Sequence, residues 1–147
     1  MNNQTTERLK TFVETVPAKL RGIGEEVFTR QPSPEKWSKK QEFGHLIDSA
    51  MNNLQRFVRM QYEDVPTVTY NPDEWNTINN YQELPSEHII ILWQSVNRQI
   101  IHIFGHADEN CLKLLCNTDS AEPKTFAFLM DDYVVHMEHH LTHIFHT

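Results

Sequence analysis

From Phe126 to Phe145 the chain reads FAFLMDDYVVHMEHHLTHIF, with neither glycine nor proline. Phe126, Leu129, Met130, Tyr133, Met137, Leu141 and Ile144 recur at steps of three and four, the mark of an amphipathic helix with one face on a core. At about 100° per residue the apolar stripe centres near Met137 and Ile144. His140 then lies about 50° from that centre, His136 about 90°, His143 about 110° and His139 about 150°. His136 and His140 thus form an i,i+4 pair at the inner edge of the buried face, which is how one helix offers two nitrogens to one metal ion. A solvated or core-bonded histidine is the commoner case, so the reading requires a third donor elsewhere.

The rest of the chain supplies three more long helical patterns. A first helix is expected from about Thr5 to Arg21, with Leu9, Phe12, Val13, Val16 and Leu20 on one face and Pro17 bending or interrupting it. Arg21 to Pro34, holding Gly22, Gly24, Pro32 and Pro34, reads as loop. Ser38 followed by Gln41 is a capping box that opens a second helix running to about Tyr62. Its core face is Phe43, Leu46, Ile47, Ala50, Leu54, Phe57 and Val58, and a polar stripe of His45, Ser49, Asn52 and Arg56 runs beside it. That stripe is either solvated surface or the wall of a site; Gly44, which lets another backbone come close, tilts His45 inward.

Residues 63–85 break the pattern with Pro66, Pro72 and Pro85, and Asn71 or Asp73 can open one short turn there. A connection this long in a small helical domain usually has a task, and Tyr70 or Trp75 is expected near the mouth of any site. A third helix follows from Ser86 to Gly105. His102 and His106, a second i,i+4 pair, straddle its end and read as surface. CLKLLCNTDSAEP is irregular or briefly extended, and Pro123 leads into the last helix near its first turn. Four amphipathic helices in 147 residues make one all-α domain, 1–147, a four-helix bundle. The long second connection argues against a simple up-down-up-down order.

Composition excludes several classes. Thirteen basic against twenty acidic residues give a net charge of −7, and no Lys/Arg cluster beyond KWSKK offers a nucleic-acid surface. No apolar run is long enough for a membrane span and MNNQTTERLK is not signal-like, so a soluble cytoplasmic protein is expected. Cys111 and Cys116 make no disulfide framework.

If His45 joins His136 and His140, three neutral imidazoles converge with coordination positions left open, the pattern of a working site and not of a closed structural one. Zinc or nickel suits such a set better than calcium, which wants oxygens. Rival metal motifs fail on spacing. Glu138 lies about 200° around the helix from His136, so there is no HExxH arrangement. A di-iron bundle wants two Glu-x-x-His motifs, and only Glu42 to His45 occurs.

KWSKKQEFGHLIDSAMNNLQRF, followed some seventy residues on by DYVVHMEHHLTHI, resembles the DinB/YfiT-like family of four-helix proteins. The Trp-Ser before helix two, the Gly-His-Leu-Ile-Asp-Ser run and the His-x-x-x-His-Leu near the end stand in family order. The resemblance implies an antiparallel bundle with a long crossover between helices 2 and 3. It also implies a divalent metal, commonly zinc or nickel, on His45, His136 and His140. His143 stands where many relatives have Gln. Characterised members include transferases and isomerases that use a low-molecular-weight thiol such as bacillithiol, mycothiol or glutathione.

The expected function is therefore a metal-dependent enzyme that activates a small thiol or water for transfer to, or hydrolysis of, a small electrophile. The alternative is a non-catalytic metal- or ligand-binding bundle, and a homodimer through an exposed face is compatible with either. Asp132, one turn before His136, is the candidate acceptor behind that ligand. Asn52 and Arg56, farther along the His45 stripe, are candidates to meet a polar or anionic group of a small-molecule substrate. Protons should compete with the metal below about pH 6, while the metal-free chain should show a flatter stability profile.

Overall fold

The computed structural model describes residues 3–146. Its four long helices are α1 (Asn3–Arg21), α3 (Lys39–Arg59), α5 (Ser86–Gly105) and α7 (Phe126–Phe145). Between them lie the short α2 (Glu25–Thr29), α4 (Pro72–Asn79) and α6 (Glu109–Leu112), and a hairpin of β1 (Leu115–Cys116) and β2 (Lys124–Thr125). The segment read as loop between the first two helices thus contains α2. Its Phe28 is buried against the core, a single apolar anchor too short to show periodicity.

Side-chain pairs fix the direction of each helix. Phe43 packs on Trp93 at one end of α3, and Phe57 on Phe104 at the other, with ring centroids 5.5 and 4.9 Å apart. Both numbers rise together, so α3 and α5 run parallel. Phe57 also meets Phe126 at 4.9 Å while His45 meets His140 at 4.8 Å, so α7 runs antiparallel to α3. Thr5 bonds Asp131, and Lys19 sits over the Phe145 ring, making α1 and α7 parallel. A tight turn cannot join parallel neighbours, so residues 60–85 must carry the chain back along the bundle. This is the long crossover between the second and third long helices.

Local chemistry explains most boundaries. Ser38 accepts from the Gln41 backbone N–H, and Gln41 Oε1 returns a bond to the Ser38 N–H at 2.8 Å, a complete capping box. Asn71 caps α4 with Pro72 in its first turn. The last helix is capped by Thr125, so Pro123 lies outside it.

Pro17 does not interrupt α1. The carbonyl it leaves without its helical donor is that of Val13, four residues back, and Gln94 Nε2 of α5 donates to that oxygen at 3.1 Å. A tertiary bond replaces the missing local one.

Gly44 has a different task from the one expected. A Cβ there would stand 2.1 Å from the Tyr81 ring, so the glycine admits a side chain and not a backbone. The Tyr81 hydroxyl then donates to Asp48 Oδ1 at 2.5 Å, pinning the crossover to the middle of α3.

Candidate metal centre

The face of α3 that begins at Lys40 is almost wholly enclosed. His45, Ser49, Asn52 and Arg56 are all buried, so the polar stripe is interior and not solvated surface. α7 lies antiparallel against it, and its His136 and His140 come level with His45. One donor nitrogen from each of the three lies within 4.8 Å of the others. His45 Nε2 and His136 Nε2 are 3.3 Å apart. Two nitrogens each about 2.1 Å from a tetrahedral ion are roughly 3.4 Å apart, so this pair already has ligand spacing. The set as a whole is wider, and the third imidazole has to tilt inward to complete a shell.

The site carries its own electrostatics. Burial, and then the neighbouring imidazoles, lower His45 to about 4. His136 is likewise held at about 4, first by burial and next by His140. Both are therefore neutral at pH 7 without any metal, the protonation state a ligand needs. The metal-free chain therefore has an acid sensitivity of its own, to which a bound metal would add. Trp37, from the Trp-Ser pair before the capping box, lies 5.2 Å from the His45 ring. His45 Nδ1 is buried with no hydrogen-bond partner among the described residues.

In the sequence, Glu42 counts only as half of a di-iron motif. Its Oε2 lies 2.8 Å from His140 Nδ1 and its Oε1 lies 2.6 Å from His143 Nδ1. Burial pushes the Glu42 carboxyl up, but the two imidazole hydrogen bonds outweigh it and hold it below its ordinary value. With Nδ1 occupied, Nε2 is the His140 nitrogen left for an ion, the carboxylate–histidine arrangement of metal sites. The available signal was position: Glu42 precedes His45 by three residues on the same helical face.

The remaining candidates are placed as follows. Asp132 is exposed beside His136 and makes no hydrogen bond to it among the described residues; its charge only favours the protonated imidazole. Asn52 is buried with its amide on the Asp48 carbonyl, and its neighbour Asn53 faces the cavity instead. His139 is exposed, as is His143. His102 and His106 are both exposed, His106 Nδ1 lying on the His102 carbonyl.

A cavity of about 380 Å³ opens from the cluster. His45 and His136 form one wall with Ser49, Asn53 and Arg56, and Tyr70, Tyr133, Phe128 and Leu129 supply ring and aliphatic surface. The crossover delivers Tyr70 to this wall, with Trp75 packed against it at 6.1 Å. The hairpin contributes Lys124 and, at its tip, Thr118, Asp119 and Ser120. None of these hairpin residues carried a sequence signal, because a two-residue strand has no readable period.

The model of the DinB superfamily matches residues 5–144. The chain is 28% identical over 138 residues to the Bacillus subtilis protein named "Putative metal-dependent hydrolase YfiT", covering 90% of this chain and 78% of that one. It is 26% identical to the Bacillus cereus protein named "Putative metal-dependent hydrolase BCAH820_2714", over 74% of this chain and 62% of that protein. Among solved structures, YfiT of Bacillus subtilis, described as having an unusual four-helix bundle topology, superposes with a TM-score of 0.82 over 98% of this chain and 85% of that one at 23% identity. A DinB-like protein of the same organism superposes with a TM-score of 0.65 over 97% of this chain and 88% of that one at 14% identity. No helix among the described residues is long and apolar enough to cross a membrane.

Proposed function

We propose, on the premise that this chain belongs to the DinB superfamily, that it is a divalent-metal-dependent enzyme acting on a small electrophile with water or a low-molecular-weight thiol as nucleophile. One observation carries the reading. Three imidazole donors come together, and two of them, His45 and His136, neutral by burial and 3.3 Å apart, line a cavity large enough for a small molecule.

His45, His136 and His140 are the residues that would hold the ion, and the all-nitrogen set favours zinc or nickel over calcium or magnesium. When bound, such an ion supplies Lewis acidity, which makes water or a thiol nucleophilic near neutral pH. The chain's own residues do the rest. Glu42 orients His140, Trp37 packs beside the His45 ring, and the Tyr70 and Tyr133 rings exclude water from one flank. The names of the relatives favour hydrolysis, and no cysteine lines the cavity among the described residues.

The test is metal analysis of protein purified without an affinity tag, followed by assays for ester and amide hydrolysis and for consumption of small thiols. One metal per chain, lost in His45→Ala, with turnover in either assay, is the expected result. Metal without turnover of any electrophile class would leave a binding protein, and no metal would overturn the reading.

A further inference from the structure

We propose that the cavity beside the histidine cluster takes a small organic monoanion, a carboxylate-bearing molecule whose acid group is held by Arg56 with Lys124 beside it. This rests on the functional reading above only for the reacting end of that molecule. The anionic end is argued from Arg56 itself.

Arg56 is 92% buried, being 8% exposed, and it lines the cavity. Nε and Nη2 both donate to the Val68 carbonyl, at 3.1 and 2.7 Å, and Nη1 donates to Asn53 Oδ1 at 3.3 Å. Three of the five guanidinium N–H groups are thus used and two remain. No carboxylate answers its charge among the described residues, whereas Arg8, Arg21 and Arg59 each meet a glutamate at 2.9 Å or less. A carbonyl and an amide fix the guanidinium in place without giving it a direct ion pair. A buried, oriented cation that lines a cavity and has donors to spare is a subsite for an anion.

The surroundings choose among anions. Lys124 lines the same cavity with its ammonium 4.9 Å from the Phe128 ring and no acidic partner within ion-pair distance among the described residues. Asp119 and Asp132 also line the cavity, and both are exposed, while Arg56 is buried. Setting the two cations, Arg56 and Lys124, against these two aspartates leaves no net charge, which disfavours a dianion such as a phosphate monoester. A planar monoanion suits the two N–H groups left on one guanidinium. Hydroxyls of Ser49 and Tyr70 and the flank of Phe128, Leu129 and Tyr133 provide for a mixed polar and apolar body.

The probes are 3-phenylpropionate and its uncharged amide, titrated calorimetrically into the full chain stripped of metal by dialysis. The acid should bind at least about tenfold more tightly than the amide, a difference one charge-assisted pair can supply. Arg56→Gln should erase that preference, and Lys124→Met should reduce it several-fold. Equal binding of acid and amide to the unaltered chain, or an acid preference that survives Arg56→Gln, overturns the proposal. So does tighter binding of phenylphosphonate as its dianion than of the acid. Should Arg56→Gln lose its helical circular dichroism, Lys124→Met decides, and an unchanged acid preference there overturns the assignment. Zinc titration is run separately. Its failure would defeat the histidine reading and leave the acid-against-amide comparison standing, because that comparison is made without metal.

Discussion

Glu42 Oε2 lies 2.8 Å from His140 Nδ1, tying a carboxylate of α3 to an imidazole of α7. The bond fixes both the tautomer and the tilt of His140, and such partners commonly govern affinity for a metal. Glu42→Gln should therefore weaken zinc binding about 10- to 100-fold, measured by competition with a chromophoric chelator. His143→Ala, which removes only the contact to the other carboxylate oxygen, should weaken it far less. Equal losses in the two variants would mean that the pair acts as one unit.

His139 and His140 are adjacent in sequence and opposite in role. His139 is exposed, whereas His140 is half-buried in the donor set. His139→Ala should bind zinc as the unaltered chain does, and His140→Ala should lose most of the affinity. Matching zinc titrations for these two would put the ligand pair on the wrong face of α7.

Acid should destabilise even the metal-free protein. His45 and His136 titrate at about 4 when folded, against about 6.5 in an unfolded chain. The unfolded state takes up protons first, so the stability these groups contribute is full above pH 6.5 and is lost as pH falls toward 4. Bound metal should steepen the fall below about pH 6, since protons then displace an ion as well. Urea denaturation between pH 4 and 8, with and without zinc, measures both; a metal-free midpoint that does not move would refute the burial argument.

Asp48 works in the opposite sense. Burial raises its carboxyl to about 6, against the hydrogen bonds from Tyr81 and Asn79, and its Oδ2 has no partner among the described residues. The stability this group gives is complete below about pH 4 and is lost as pH rises through 6. Asp48→Asn keeps the shape and removes the buried charge. It should be neutral or stabilising at pH 7.5 and less favourable at pH 4.5, by thermal melts at the two pH values. Destabilisation that is larger at pH 7.5 would show that the carboxylate is satisfied by a group not seen here.

Gly44→Ala tests the crossover. The new methyl would meet the Tyr81 ring at 2.1 Å, so the 3-10 turn of Tyr81–Glu83 has to move. Overpacking of this kind costs about 1–3 kcal/mol, and losing the Tyr81 hydroxyl from Asp48 adds to it. Chemical denaturation of Gly44→Ala beside Tyr81→Phe separates steric from hydrogen-bond loss. A Gly44→Ala variant as stable as the parent would mean that Tyr81 is free to swing aside.

Sequence alone determined the long helices, because each presents an apolar stripe at helical period, and the start of α3 is written in capping chemistry at Ser38 and Gln41. It also placed His136 and His140 on one face, since helical phase is a local property of twenty residues. It singled out His45 as well, on a polar stripe whose local pattern left surface and site wall both open, and the resemblance to the family's motifs agreed with that choice. Tertiary structure decided the rest. That α3 and α5 run parallel follows from Phe43 meeting Trp93 and Phe57 meeting Phe104, contacts between segments whose separation carries no periodic signal. Glu42 joins His140 across ninety-eight positions. Arg56, which the sequence left open between solvated surface and site wall, is a buried cation because Val68, on the returning crossover, offers it a carbonyl. Helical period is written in neighbouring residues, but burial of a polar group depends on which distant segment folds over it.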